Sequence, residues 1–328
     1  MVSWPLVGEK IQPLTELINP QEIAVDDQNI YIVQRAKVYI YSKTDNKLKR
    51  VFGKRGEGPR EFIPVGDHRK INLFLLPDQI LINSLNKVSY FSKDGSFVRE
   101  TKAQPGLGFL FKPVNNHYVG YSHTDYDRIL HDLISLYDTS LRKKTKVIHK
   151  ERHFFQRGRS INPLKINNPL FRVFNNEIFI STDNGAIKIF NPKGDLLNKI
   201  TFSYQKVPLD HKRRQKYISF FTSSPIHKDF YHRDRKYIKY PDYFPLIRDF
   251  KVIDNRIYIV TYREQKQNRE MLISTTSGKL IKKSFVPVVE ASPLNLFPFT
   301  IKDGKIYQLI ENTSTENWEL HIIEVLGQ

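Results

Sequence analysis

One short pattern returns six times along the chain. It reads NIYIV from Asn29, QILIN from Gln79, HYVGY from His117, EIFIS from Glu177, RIYIV from Arg256 and KIYQL from Lys305. Each copy follows a polar turn: Asp27-Gln28, Pro77-Asp78, Asn115-Asn116, Asn175-Asn176, Asp254-Asn255 or Asp303-Gly304. A second apolar run comes after each: KVYIYS, KVSYFS, LISLYD, AIKIFN, MLISTT and LHIIEV. Then comes another turn, such as KDGS or PKGD, and a further strand, such as LKRVFG, FVRETK or LLNKITF. Apolar alternation bounded by turn residues predicts strands. The chain therefore reads as six units of four strands, repeated every 40 to 60 residues or about that.

Radial repetition of four-stranded sheets is the β-propeller, in which each sheet buries both faces against its neighbours. The expectation is an all-β, six-bladed propeller of four-stranded antiparallel blades, a single domain over residues 1–328. The length of 328 residues suits such a repeat better than an ordinary compact domain. The sixth unit stops after LHIIEVLGQ, without a fourth strand. An open edge invites pairing with other chains, so the segment within Ser3 to Leu17 is expected to supply that strand and close the ring. Pro5 and Pro13 suit an outer edge.

Composition then removes some classes of function. The chain has no Cys, which excludes disulfides, thiolate metal sites and cysteine nucleophiles. Its net charge of +18 attracts anions over long range. Nucleic acid, acidic polysaccharide, anionic lipid and acidic protein are all compatible partners, and so is no partner in a Lys-rich proteome. No run of apolar residues approaches the roughly 20 needed to span a bilayer. The start, MVSWPLVGEK, lacks a basic stretch followed by an apolar one, so as written it is not a signal peptide. A chain from which a leader had been removed would look the same.

The loop RVFGKRGEGPREF, from Arg50 to Phe62, carries a more specific signal. With the blade pattern, it resembles NHL-repeat-like and TolB-like six-bladed propellers. Its nearest likeness is to a bacterial six-bladed propeller family common in Bacteroidetes, which carries a GxxGxGPxEF loop after the first blade. Gly53, Gly56, Gly58, Pro59, Glu61 and Phe62 match that loop. The resemblance implies export or a lipid anchor, hence the bacterial envelope or periplasm, whereas the written N-terminus implies the cytoplasm. It also brings in catalytic relatives, streptogramin-type lyases and lactone hydrolases, whose sites need a cluster of His and Glu, or Asp and Asn, at the channel.

Loop length predicts which face works. The connections Gly53 to Lys70, His123 to His131, Arg152 to Asn168, Gln205 to Pro245 and Glu264 to Arg269 are long, and in a propeller they fall at one mouth of the channel. Long loops on a rigid scaffold carry function. GKRGEGPREF lacks the Lys-Ser/Thr of a P-loop, so its glycines read as structural, with positive φ expected at Gly56 and Gly58. Phe62 is expected in the core, and Lys54, Arg55 and Arg60 project outward. The insertion from about 205 to 245 is expected to be partly helical. Asp210 caps a helix over about Lys212 to Phe221, with Tyr217, Phe220 and Phe221 facing the propeller. Beyond it, basic and aromatic residues interleave.

The candidate binding set is therefore Lys54, Arg55, Arg60, Arg157, Arg159, Arg213, Arg214, Arg233 and Arg235, with Tyr231, Tyr237 and Tyr240 for stacking. The expected ligand is an anionic or aromatic molecule, an acidic protein or a nucleic acid, bound by a monomer without a cofactor. No metalloprotease, serine-hydrolase or EF-hand motif occurs. His123, Asp125, Asp127 and His131 offer imidazoles and carboxylates, but linear sequence does not show convergence, so they read as solvated loop residues and no metal is expected. Two readings stay open: a binding platform, or a lyase or hydrolase with a His/carboxylate site.

Overall fold

A computed structural model describes residues 9–64, 70–156, 158–166, 169–225 and 227–325. The chain is a six-bladed β-propeller built of four-stranded sheets. The first blade runs Glu22–Val25, Asn29–Gln34, Lys37–Ser42 and Leu48–Phe52; the second, Asn72–Leu75, Gln79–Ser84, Lys87–Ser92 and Phe97–Lys102. The third runs Phe109–Val114, His117–Tyr126, Ile129–Tyr137 and Lys144–Arg152. The fourth holds Phe171–Phe174, Glu177–Ser181, Ile187–Phe190 and Leu196–Ile200, and the fifth Asp249–Ile253, Arg256–Gln265, Asn268–Thr275 and Leu280–Val286. The sixth has Phe299–Lys302, Lys305–Asn312 and Asn317–Glu324. Its fourth strand is Lys10–Leu14, which pairs antiparallel with the last of these, from Lys10 opposite Ile322 to Leu14 opposite Trp318. Pro13 stands on that outer strand, the position in a sheet where proline is tolerated. Pro5 lies outside the described residues.

The chain divides into two compact units. One comprises 1–112, 137–144 and 297–328, and contains the first, second and sixth blades. Leu14, Leu17, Ile23, Ile30, Trp318 and Leu320 share one core there, and Tyr31, Val38, Phe62, Ile71, Ile80 and Phe91 another. Burial of the Leu14 and Leu17 side chains stabilises the N-terminal edge by about 1.5–3 kcal/mol each. The other unit comprises 113–136 and 145–296. Its principal core joins Phe179, Ile187 and Ile200 to Phe250, Ile257 and Leu272.

Two expected loops are not loops. Between His123 and His131 the strands His117–Tyr126 and Ile129–Tyr137 continue outward, joined by Asp127 and Arg128 at φ of 50° and 60°. Between Glu264 and Arg269 the strands meet at Lys266 and Gln267, with φ of 48° and 70°. Both are long hairpins with two-residue turns in which both residues have positive φ, a geometry that matches the twist of the flanking strands. Asp, Arg, Lys and Gln lack the Gly signal of such turns, so the sequence pattern does not mark them as hairpins.

In the Gly53 region, Lys54–Arg55 pairs in parallel with Glu61–Phe62. Gly53 has a φ of 86°, and a Cβ there would meet the Ala36 carbonyl oxygen and the Phe62 ring at 2.6 Å. Phe62 is fully buried, as expected. Gly56 has positive φ; Gly58 does not, and instead donates its N–H to Glu61 Oε2 at 3.0 Å. The expectation of positive φ at Gly58 is corrected: the carboxylate folds the turn there.

Candidate functional site

The second unit carries the insertion. Helix α1 (His211–Ser223) starts where Asp210 was expected to cap it, its carboxylate accepting from Arg213 N at 2.8 Å. Helix α2 (Lys228–Asp234) follows, then a short turn over Arg235–Tyr237. Tyr217 and Phe221 are buried with Leu164, Leu209 and Phe244, and Phe220, Tyr231 and Tyr240 pack against them. Tyr217 OH donates to Pro293 O at 2.8 Å, which ties α1 to the end of the unit. The segment 158–161 joins the same body through the Ile161–Ile238 bridge and Lys239 N, which donates to Ile161 O at 2.8 Å.

The opposite face of α1 is different. Lys212, Gln215, Lys216 and Ser219 recur at helical spacing, and with His211 and Pro293 they line a surface hollow of about 560 Å3. Four Lys or Arg and no Asp or Glu lie within α1. Lys212 and Lys216 are one turn apart, where like charges oppose helix formation. Cations in the first turns also oppose the helix dipole. The helix therefore carries unfavourable electrostatics that its buried aromatics offset.

The expected binding residues are distributed unevenly. Lys54 pairs with Glu61 at 2.9 Å, and Arg60, at φ 65°, lies 5.7 Å over the Phe97 ring. Arg55 is exposed, and no ion pair to it occurs among the described residues. These three belong to the first unit and the remainder to the second. Arg157 lies outside the described residues. Arg159 and Arg235 are exposed. Arg233, also exposed, is held by Asp234 at 2.8 Å. Arg213 pairs with Asp210 at 2.9 Å, and Arg214 lies 5.7 Å over Tyr240 with its Nε enclosed. Tyr231 is parallel to Phe221 at 6.1 Å. Burial pushes Tyr240 up to about 12. Tyr237 packs under Lys236 at 5.0 Å.

A second constellation joins the long hairpin of the third blade to the segment after that blade's last strand, also within the second unit. Asp132 is fully buried, and His123 Nδ1 lies 3.0 Å from its Oδ1. His153 Nε2 is 3.7 Å from the same oxygen, and the two imidazoles meet edge to face at 4.9 Å. The Tyr121 hydroxyl also donates to Asp132 Oδ1, and burial with this carboxylate pushes its own ionisation far up. His153 is held below the usual histidine range, chiefly by burial. His131 is not part of the cluster, since its Nδ1 faces Ile129 O at 2.9 Å, and Asp125 and Asp127 are exposed. Of the four residues considered from sequence, only His123 belongs. Asp132 and His153 were missed. Counting back from a two-residue turn at Asp127-Arg128 sets position 123 opposite 132, so half of the signal was present.

No family model matches the chain, and no curated protein matches it. Among solved structures it is similar to a member of the DUF4221 family from Bacteroides vulgatus, at 10% identity over 96% of this chain and 95% of that one, with a TM-score of 0.49. It is also similar to BamB from Moraxella catarrhalis, at 8% identity over 93% of this chain and 70% of that one, with a TM-score of 0.34. No helix among the described residues is long and apolar enough to cross a membrane.

Proposed function

We propose that the protein is a recognition propeller whose helical insertion binds an anionic ligand, with the hollow along α1 as the primary contact. The observation that carries this reading is the division of α1 into two faces. Tyr217 and Phe221 are buried, while Lys212 and Lys216 line the hollow. An anion there would relieve both the like-charge pair and the dipole mismatch. Arg235 and Arg159 are further exposed cations of the same unit, and Tyr237 is the tyrosine of the expected set outside the buried aromatic cluster. The likeness to NHL-repeat-like, TolB-like and Bacteroidetes-type propellers belongs to the same proposal and rests on the Gly53 to Phe62 loop.

The test is binding of heparin and of a single-stranded oligonucleotide from 50 to 300 mM salt. Affinity falls as salt rises, through counterion release. Neutralising two contacts with Lys212→Gln and Lys216→Gln lowers the slope for the oligonucleotide by about 1.4, at roughly 0.7 per single-strand contact. Absence of binding at low salt, or an unchanged slope in the double variant, removes the hollow as the contact. The enzyme reading draws on one observation, the His123–Asp132–His153 cluster, which a screen for lyase and lactonase activity addresses separately.

A further inference from the structure

We propose that His123, Asp132 and His153 form a binding site for one divalent transition-metal ion of the zinc class. Each offers one ligand atom, and the three atoms lie within 4.8 Å of one another. Nitrogen and oxygen ligands bound at about 2.0–2.2 Å in a tetrahedral site stand roughly 3.3–3.5 Å apart. The His123–Asp132 and Asp132–His153 separations of 3.0 and 3.7 Å bracket that value. The two imidazole nitrogens lie within 4.8 Å of each other, so side-chain rotation that draws them together completes the set.

The alternative is a purely hydrogen-bonded cluster, and it explains the carboxylate poorly. Tyr121 OH, His123 and His153 all address Asp132 Oδ1. Its Oδ2 is fully enclosed and has no hydrogen-bond partner among the described residues. Buried carboxylate oxygens are rarely left so, because an unmet acceptor costs roughly 1–3 kcal/mol. A cation held by both oxygens of this carboxylate, Oδ1 beside the imidazoles and Oδ2 behind it, meets that acceptor; one held by Oδ1 alone does not.

The surroundings also orient the ligands. The Phe155 backbone faces His153 Nδ1 from both of its polar atoms, N at 3.1 Å and O at 3.2 Å. The carbonyl contact, with Nδ1–H donating, holds the tautomer that leaves Nε2 free to coordinate, and the N–H contact holds the other. The buried Gln156 side chain donates to His153 O at 2.9 Å and Leu130 O at 2.7 Å, clamping this segment to the strand that carries Asp132. Outer partners of this kind fix ring orientation in metal sites.

Donor chemistry sets the class of ion. Two imidazoles and one carboxylate suit zinc, iron, cobalt or nickel, whereas calcium and magnesium take oxygen ligands. The His123 side chain is 38% exposed, so the ion faces solvent on that side. Three protein ligands and an open position allow a water or an anionic oxygen of a ligand to bind the ion. The site is distinct from the basic hollow, and either proposal can fail without the other.

The test uses the full chain, stripped with chelator, titrated calorimetrically with Zn2+ and optically with Co2+. One ion per chain is expected, with visible d–d absorption for Co2+ and a higher melting temperature with Zn2+. His123→Ala, His153→Ala and Asp132→Asn each weaken binding at least tenfold, and His131→Ala leaves it unchanged. If Asp132→Asn does not fold, His123→Ala, on the solvent side, carries the test. The proposal is overturned if folded wild-type protein takes up neither ion at one per chain. Unchanged affinity in both the His123 and His153 variants overturns it too. Displacement of Co2+ by equimolar Ca2+ would overturn the assignment to the zinc class.

Discussion

The loop from Gly53 to Phe62 and the insertion from 205 to 245 look alike in sequence: both are basic, and both interrupt the blade pattern. Their structures use that charge in opposite ways. In the loop, Lys54 is taken by Glu61 seven residues later, and Arg60 rests over Phe97. In the insertion, Lys212 and Lys216 line an open hollow. The difference lies in nearby acids and in backbone restraint. The loop folds around one carboxylate and one buried ring. The insertion folds around aromatics and leaves Lys212 and Lys216 outside, while Arg213 and Arg233 pair with Asp210 and Asp234. Basic residues therefore count as binding groups only after local partners are subtracted.

The largest expected effect is at the anchor of the loop. Phe62→Ala removes a fully buried ring from the core it shares with Ile71 and Phe91, and lowers stability by about 3–5 kcal/mol. Urea unfolding measures this. A loss below about 1 kcal/mol would mean that the Phe62 ring does not anchor the loop to the blades. Gly53→Val comes next. Its φ of 86° and the 2.6 Å approach to the Ala36 carbonyl cost about 1–3 kcal/mol by the same measurement. The same substitution at Gly58, which lacks positive φ, is milder. If the two are equal, backbone strain is not what distinguishes them.

On the insertion side, Asp210→Ala removes the α1 cap and costs about 1 kcal/mol. Amide exchange in α1 accelerates while exchange in the blade strands does not. Uniform acceleration would show that the insertion and the blades unfold as one.

The smallest effect is electrostatic. Lys54, and then the Gly58 N–H, hold the Glu61 carboxyl below its usual range. A depressed acid contributes its interaction above the unfolded pKa of about 4.3, and that interaction is lost as pH falls through the folded value. Lys54→Met moves the Glu61 titration upward toward the ordinary range, as read by NMR. An unmoved titration would assign the depression to the backbone alone.

Much of the architecture was legible. Strands such as NIYIV and RIYIV alternate within sharp turns, and six repeats admit few folds. The α1 start was legible because Asp210, a capping residue, stands two turns before the helix-spaced aromatics Tyr217, Phe220 and Phe221. The His123–Asp132–His153 cluster was not. His123 and Asp132 flank a turn without Gly, and His153 arrives from the segment after the next strand.

The sequence by itself determined the six-unit repeat, the strand positions and the capped helix, because each depends on side chains within one or two turns of chain. Only the tertiary structure decided which charges are spent locally and which titratable groups meet. Those outcomes depend on register across a hairpin and on a backbone clamp at Gln156, where contacts form between residues that local periodicity does not relate.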